Sequence, residues 1–186
     1  MTTMKRQAVF LDRDGVLNRS LVRDGMPFAP VCLEDFEMLP GACDAVARLR
    51  DAGYLTIVVT NQPDLSSGKQ NSETLHAIHD HLREKTGVDD ILVCPHLDAD
   101  GCDCRKPKPG MLHEAAQKFG IDLARSMMVG DRWRDIGAGQ AAGCATVFIE
   151  YGYAEDAPSN PDCVGASLDE VVPFILKELK RRSGGQ

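Results

Sequence analysis

The sequence is poor in aromatic residues, with one tryptophan, three tyrosines and six phenylalanines in 186 positions. It also lacks any long hydrophobic run. Stretches such as AVFL (8–11), LTIVV (55–59) and ATVFI (145–149) fall far short of the roughly 20 apolar residues a membrane-spanning helix needs. The first of them is too short for the apolar segment of a signal peptide, so no targeting segment is expected. Positive charge is in deficit: 21 Lys and Arg against 28 Asp and Glu leave a net charge of −7. That balance argues against nucleic acid or a membrane surface as partner. It does not argue against an anionic small molecule, which needs only local positive charge. Repeats and low-complexity tracts are absent, and there is no C-x-x-C pair to suggest a thioredoxin-like redox centre. The seven cysteines are an odd number, and three crowd into residues 94–104, unlike a disulfide framework spread through a secreted domain. These absences imply a reducing, cytoplasmic setting. The length implies one domain over 1–186, with a monomer expected.

What is present is an alternation of strands and helices. AVFLD (8–12), LTIVVT (55–60), ILVC (91–94), SMMVGD (126–131) and ATVFIE (145–150) read as five buried strands. Helices are expected at about 41–52, with Ala45, Leu49 and Ala52 on one stripe, and at about 72–86, with Leu75, Ile78 and Leu82 on another. Two more follow, at about 109–119 between Pro109 and Gly120, and at about 168–182 before a frayed SGGQ tail. Near-continuous apolar strands alternating with helices imply an α/β fold, a Rossmann-like doubly wound parallel sheet with helices on both faces. Cys43 and Cys144 lie among alanines on expected helices and read as small buried residues. Cys32 and Cys163 fall in expected loops, with no role assigned.

In such sheets ligands bind beyond the carboxyl ends of the strands. The strand ends here carry DRDG (12–15), TNQ (60–62), the cysteine stretch with Arg105 and Lys106, and GDRWRD (130–135); only the fifth has no polar chemistry. Alone, Asp12 and Asp14 are compatible with an ordinary turn. Two carboxylates aimed at one site repel unless a proton or cation lies between them, and Mg²⁺ would resolve that. Asp131 is placed to be a second carboxylate ligand, and Asp135, one helical turn on, can face the same side. Thr60 offers a hydroxyl, with Asn61 and Gln62 beside it. Lys106 offers a point charge for phosphate oxygens, and Arg105 a bidentate grip.

FLDRDGVLN, VVTNQ, CRKPKPGML and MVGDRWRDI, in that order, resemble the four motifs of the haloacid dehalogenase-like (HAD) phosphatases. More narrowly they are similar to subfamily IIIA, the branch with enzymes for heptose bisphosphate and histidinol phosphate. The resemblance spans about residues 8–150 and implies roles. Asp12 is the nucleophile that forms an aspartyl-phosphate, and Asp14 the general acid, then the base. Thr60 and Lys106 hold phosphoryl oxygens, while Arg105 and Arg132 touch substrate. Mg²⁺ is held by Asp12, the Asp14 backbone carbonyl and Asp131. The implied reaction is hydrolysis of a phosphomonoester on a small metabolite, a sugar bisphosphate first and histidinol phosphate second. A receiver-like phospho-acceptor module, which also combines clustered Asp with Thr and Lys, is the alternative outside enzymology. The chain leaves no room for a separate cap domain.

Cys94, His96, Cys102 and Cys104 have the spacing C-x-H-x5-C-x-C. Three thiolates and an imidazole make a closed tetrahedral Zn²⁺ site with no open position, hence structural rather than catalytic. Asp98, Asp100 and Asp103 are expected on its rim. His76, His79 and His81 are expected to be solvated, off the stripe of their helix, and His113 to be on the surface. Trp133 fits either packing or the pocket mouth. The segment 18–40 departs from the heptose branch, and Ser67 stands where that branch has an arginine. Arg19 and Arg23 are the candidates for a second anionic group of the substrate.

Overall fold

The computed structural model describes residues 5–184. Residues 1–4 of the expected leaderless start, and Gly185 and Gln186 of the expected frayed tail, lie outside the described residues. No helix among the described residues is long and apolar enough to cross a membrane.

One six-stranded sheet organises the chain. It contains β1 (Ala8–Leu11), β4 (Leu55–Asn61), β5 (Asp90–Cys94), β6 (Met127–Gly130), β7 (Ala145–Ile149) and β8 (Cys163–Gly165), in the order β5-β4-β1-β6-β7-β8. Every pairing is parallel. Strand alternation sends neighbouring side chains to opposite faces. Val9, Leu11 and Val58 pack with α1 (Ala42–Asp51), α2 (Ser72–Thr86) and α5 (Leu168–Ser183). Ala8, Phe10 and Ile57 pack with α3 (Gly110–Phe119) and α4 (Trp133–Ala141). Both faces are covered, which explains why β1 is buried at all four positions and why its sequence is uniformly apolar. The chain runs outward from β1 to β4 and β5, then returns to place β6 on the other side of β1. The reversal opens a crevice at the carboxyl ends of these strands, where α/β sheets bind ligands.

Some expectations need correction. Segment 18–40 contains an antiparallel ribbon, β2 (Leu21–Arg23) and β3 (Met26–Phe28), turned at Asp24-Gly25, both in left-handed conformation. Three-residue strands, one containing Pro27, carry too little periodicity to stand out in sequence. Cys163 lies in β8, not a loop, and Cys144 lies between α4 and β7, buried but not helical. Ala52 caps α1 exposed, and the buried stripe is Ala42, Ala45, Val46 and Leu49. Ser183 is the last residue of α5, and Gly184 caps it.

Candidate active site

Asp12 is the first residue past β1. Its N–H donates to the Val129 carbonyl at 2.9 Å, which fixes the nucleophile candidate against β6. Gly15 turns the chain away with φ +84°, and a Cβ there would meet Asp131 Oδ2 at 1.8 Å. The glycine of DRDG is thus required by conformation and by the close approach of Asp131. Gly130 is required on the other side, since its Cβ would lie 2.0 Å from Asp135 Cβ.

Asp12, Asp131 and Asp135 each offer a carboxylate oxygen, all within 4.8 Å of one another, and all three residues are buried. Lys106 is the cation among them. Its Nζ donates to Asp12 Oδ1 at 2.8 Å and to the Val59 carbonyl at 2.8 Å, and lies 2.6 Å from Asp135 Oδ1. Burial works to discharge the ammonium, but Asp12 and Asp135 outweigh it and hold its pKa above the usual lysine range. Burial, then Asp135, pushes Asp12 up to about 7. Burial, then Asp12 and Asp135, pushes Asp131 well above the carboxylate range. Three ionised carboxylates against one ammonium leave two uncompensated negative charges, which suits a divalent cation. Among the described residues neither Asp131 oxygen has a hydrogen-bond partner within normal geometry, although both are buried. Hard oxygen donors with unfilled lone pairs fit Mg²⁺. Asp135 has both oxygens engaged, one by Lys106 and the other by the Arg132 N–H at 3.0 Å. It braces Lys106 and caps α4 before it can serve a metal.

Asp14 is held separately. Its Oδ1 accepts from Asn18 Nδ2 at 2.9 Å and Arg13 Nε at 3.1 Å, and its Oδ2 accepts from Gln62 Nε2 at 2.9 Å. Arg13 Nη2 donates to both oxygens at 3.0 Å. Gln62 Nε2 also donates to Thr60 Oγ1 at 2.9 Å, tying the acid/base to the phosphate-binding hydroxyl. Asn61 joins the second and third motifs. Its Nδ2 donates to the Lys106 carbonyl and its Oδ1 accepts from the Lys106 N–H, both at 3.1 Å. Asp12, Asp14, Thr60, Asn61, Lys106 and Arg132 share one cavity of about 350 Å³.

Three sequence-chosen arginines lie elsewhere. Arg19 pairs with Glu37 at 3.0 Å on the surface, and Arg23 lies over the Phe28 ring at 5.8 Å. Neither lines that cavity, because the ribbon carries them outward. Arg105 donates to Asp98 Oδ1 at 2.8 Å and to the His96 carbonyl at 3.0 Å, so it braces the cysteine loop and does not line the cavity. Arg132 forms an ion pair with Glu155, from the loop after β7. That loop also brings Tyr153 toward Asp131. Burial and then the Asp131 carboxylate push the phenol up, so it remains a hydroxyl. The fifth strand end is therefore not chemically silent. The cations that do line the cavity are Lys69, Arg132 and Arg134 beside Lys106. Trp133 lies beneath the Arg134 guanidinium at 4.8 Å and does not line it.

The histidine expectation fails at one position. His76 and His113 are exposed and His81 packs edge-on against Phe36, but His79 is 3% exposed. Its Nε2 lies 3.1 Å from Arg13 Nη1. Residue 79 is four after Leu75 and three before Leu82, so it belongs to the buried stripe that continues to Thr86. Arg13, fully buried at 0% exposure, was hidden between two motif aspartates.

Cys94, His96, Cys102 and Cys104 converge. Cys94 Sγ lies 3.1 Å from Cys104 Sγ and 3.7 Å from Cys102 Sγ. Cys104 Sγ lies 3.4 Å from Cys102 Sγ and 3.3 Å from His96 Nδ1. A tetrahedron with metal–sulfur bonds of about 2.3 Å has edges of roughly 3.8 Å, so these separations sit at or just inside a zinc shell. Burial, then its neighbouring thiols, pushes Cys104 up to about 12. Only a cation would keep three such sulfurs ionised together.

A family model for haloacid dehalogenase-like hydrolases matches residues 21–143. The chain is 40% identical over 149 residues to a D-glycero-beta-D-manno-heptose-1,7-bisphosphate 7-phosphatase of Bordetella bronchiseptica, covering 77% of this chain and 80% of that one. It is 40% identical over 194 residues to the enzyme of the same name from Vibrio cholerae, covering 95% and 100%. The crystal structure of the D,D-heptose 1,7-bisphosphate phosphatase from B. bronchiseptica, complexed with magnesium and phosphate, matches with a TM-score of 0.79. Identity in that match is 36%, covering 92% of this chain and 99% of the other.

Proposed function

The chain belongs to the haloacid dehalogenase-like hydrolases, and from that premise we propose that it removes the 7-phosphate of D-glycero-D-manno-heptose 1,7-bisphosphate in a magnesium-dependent reaction. The observation that carries this reading is the convergence of Asp12, Asp131, Asp135 and Lys106 beneath a cavity that also presents Asp14 and Thr60. Asp12 attacks phosphorus in line as the bond to the C7 oxygen breaks, and Asp14 delivers a proton to the departing alkoxide. The aspartyl-phosphate is then hydrolysed. Asp14, now a carboxylate, takes the proton from water as the water oxygen attacks phosphorus, and Asp12 is regenerated. The bond pattern around Asp14 is that of the base form, with both oxygens accepting. In the acid form one donor must yield to the carboxyl proton. Thr60 and Lys106 hold phosphoryl oxygens. Asp12, Asp131 and the Asp14 carbonyl would hold Mg²⁺, which when bound supplies neutralisation of the phosphoryl charge.

A 350 Å³ cavity lies at the small end of ligand sites, about 300–1,000 Å³, and suits a compact metabolite. Lys69, Arg132 and Arg134 at its wall favour a second anionic group over histidinol phosphate, which beyond its phosphate carries only an ammonium and an imidazole. The test is a panel of phosphorylated metabolites read by released inorganic phosphate. Heptose 1,7-bisphosphate should give the highest kcat/KM. Faster turnover of histidinol phosphate would reverse the choice, and no release from any phosphoester would leave only a phospho-acceptor module.

The cysteine cluster reads as a structural zinc clip that sets the loop carrying Lys106. Elemental analysis should find one zinc per chain. Cys102→Ser and Cys104→Ser should each lose it, with thermal stability and kcat falling together. Full zinc occupancy in both variants would show that the ligand set is wrong.

A further inference from the structure

Arg13 and His79 have no part in the chemistry above, yet both are buried against its acid/base. We propose that they form a positioning pair, in which His79 orients Arg13 and Arg13 fixes the Asp14 carboxylate toward the leaving group. This inference rests on the phosphatase reading.

Donor chemistry fixes the roles in four of the Arg13 contacts. A guanidinium has five N–H groups in a rigid plane. Nε and Nη2 of Arg13 face Asp14 at 3.0–3.1 Å, and Nη1 faces His79 Nε2 at 3.1 Å. Arginine has no lone pair to offer, so His79 Nε2 must be the acceptor. The imidazole is therefore neutral, with its proton on Nδ1. Burial, then the Arg13 charge, holds His79 down at about 3, so it stays in that state across the working pH range. A protonated imidazole would put a second cation against Arg13 and break the pair.

A buried arginine needs both a counter-charge and saturated hydrogen bonds. Asp14 supplies the charge, and His79 supplies the remaining acceptor from a helix anchored in the core between Leu75 and Leu82. Rotation of the guanidinium about its long side chain is thereby stopped at both ends. Asn18 and Gln62 hold Asp14 from other directions, but each carries one hydrogen bond to it and no charge. A general acid displaced by about 1 Å can lose on the order of 10²-fold in rate.

The experiment compares His79→Leu, His79→Gln and Arg13→Met in the magnesium-loaded enzyme. It uses the best alkyl phosphate substrate and p-nitrophenyl phosphate, whose phenolate leaves without a proton. In a single turnover, His79→Leu should slow release of the alkyl alcohol about 10²-fold and that of the phenolate by less than about threefold, with little change in KM. Arg13→Met should do the same or more. His79→Gln, whose side-chain carbonyl can still accept from Nη1, should recover most of the loss. Equal losses on both substrates, no loss on either, or a His79→Leu protein that does not fold would assign the pair a purely structural role and overturn the proposal. A parent enzyme inactive on every phosphoester would instead overturn the phosphatase reading.

Discussion

Asp12→Asn should reduce phosphate release by about 10⁴-fold or more, while the metal-free variant becomes more stable than its parent. The first half follows from the nucleophile. An amide oxygen cannot form the aspartyl-phosphate, so acid-quenched phosphoprotein should be trapped from the parent and absent from the variant. The second half follows from the carboxylate cluster. Asp12 has its folded-state pKa raised from 3.8 to about 7 by burial and by Asp135. A raised pKa means the folded state favours the protonated form. Its contribution to stability is complete below about pH 3.8 and is lost as pH rises through about 7. Above pH 7 the metal-free parent carries the whole cost, as much as about 4 kcal/mol at 1.36 kcal/mol per pKa unit. The amide that replaces the carboxylate in Asp12→Asn has no charge to ionise, and its oxygen can still accept from Lys106. Urea unfolding in chelator should therefore show a parent that weakens from pH 5 to pH 8 and a variant that weakens less. Mg²⁺ should narrow the gap by stabilising the parent. A variant less stable than the parent at pH 8 would refute the account of the cluster, whatever its activity.

Lys106→Met should be the converse, harming both catalysis and folding. It removes a donor aimed at the phosphoryl oxygens, which alone costs about 10²–10³-fold in kcat. It also removes the only cation that, among the described residues, is bonded to Asp12 and Asp135. Breaking one side of a buried ionic cluster costs about 3–5 kcal/mol, because the stranded charges remain desolvated. Lys106→Arg should not restore either property. The ammonium sits among Asp12, Asp135 and the Val59 carbonyl as a compact charge, and a planar guanidinium does not fit that socket. Chemical unfolding with and without Mg²⁺ checks this. Magnesium should stabilise Lys106→Met more than the parent if enough affinity survives, because it is then the sole counter-ion. A Lys106→Met protein as stable as the parent in chelator would contradict the charge count.

The sheet was legible because its strands are buried on both faces, so apolar runs and polar strand ends stand apart along the chain. The residues that meet in the cavity were legible for the same reason. Asp12, Asp14, Thr60, Asn61, Lys106 and Arg132 lie at strand ends or on the segments that follow them, and parallel strands deliver their ends to one edge. What escaped was anything defined by the angle of approach to that edge. His79 was missed because the buried stripe of α2 is wide enough to hold Leu75, Ile78, His79, Leu82 and Thr86, and a polar side chain in it reads as solvated. Arg13 was missed because a charge between two aspartates looks exposed, whereas both its hydrogen-bonding ends are satisfied within the protein. Arg19, Arg23 and Arg105 were chosen by position in sequence, but their carboxylate, aromatic and carbonyl partners draw them elsewhere. Tyr153 and Glu155 follow β7, a strand that ends without a motif. Only the path of the chain after β7 shows that they reach Asp131 and Arg132.

The β2–β3 ribbon contributes Met26, Pro27 and Phe28 to the wall of the cavity. It adds no strand to the main sheet, and Val22 and Phe28 remain 56% and 46% exposed. The Gly25 carbonyl, which accepts from the Ala154 N–H at 2.8 Å, ties its tip to the loop after β7. The cavity wall is thus built partly from a ribbon outside the main sheet, whereas Asp12, Thr60 and Asp131 lie at the ends of core strands. Substitution of the half-exposed Phe28 should therefore reshape the cavity wall at little cost to folding, without touching the catalytic residues.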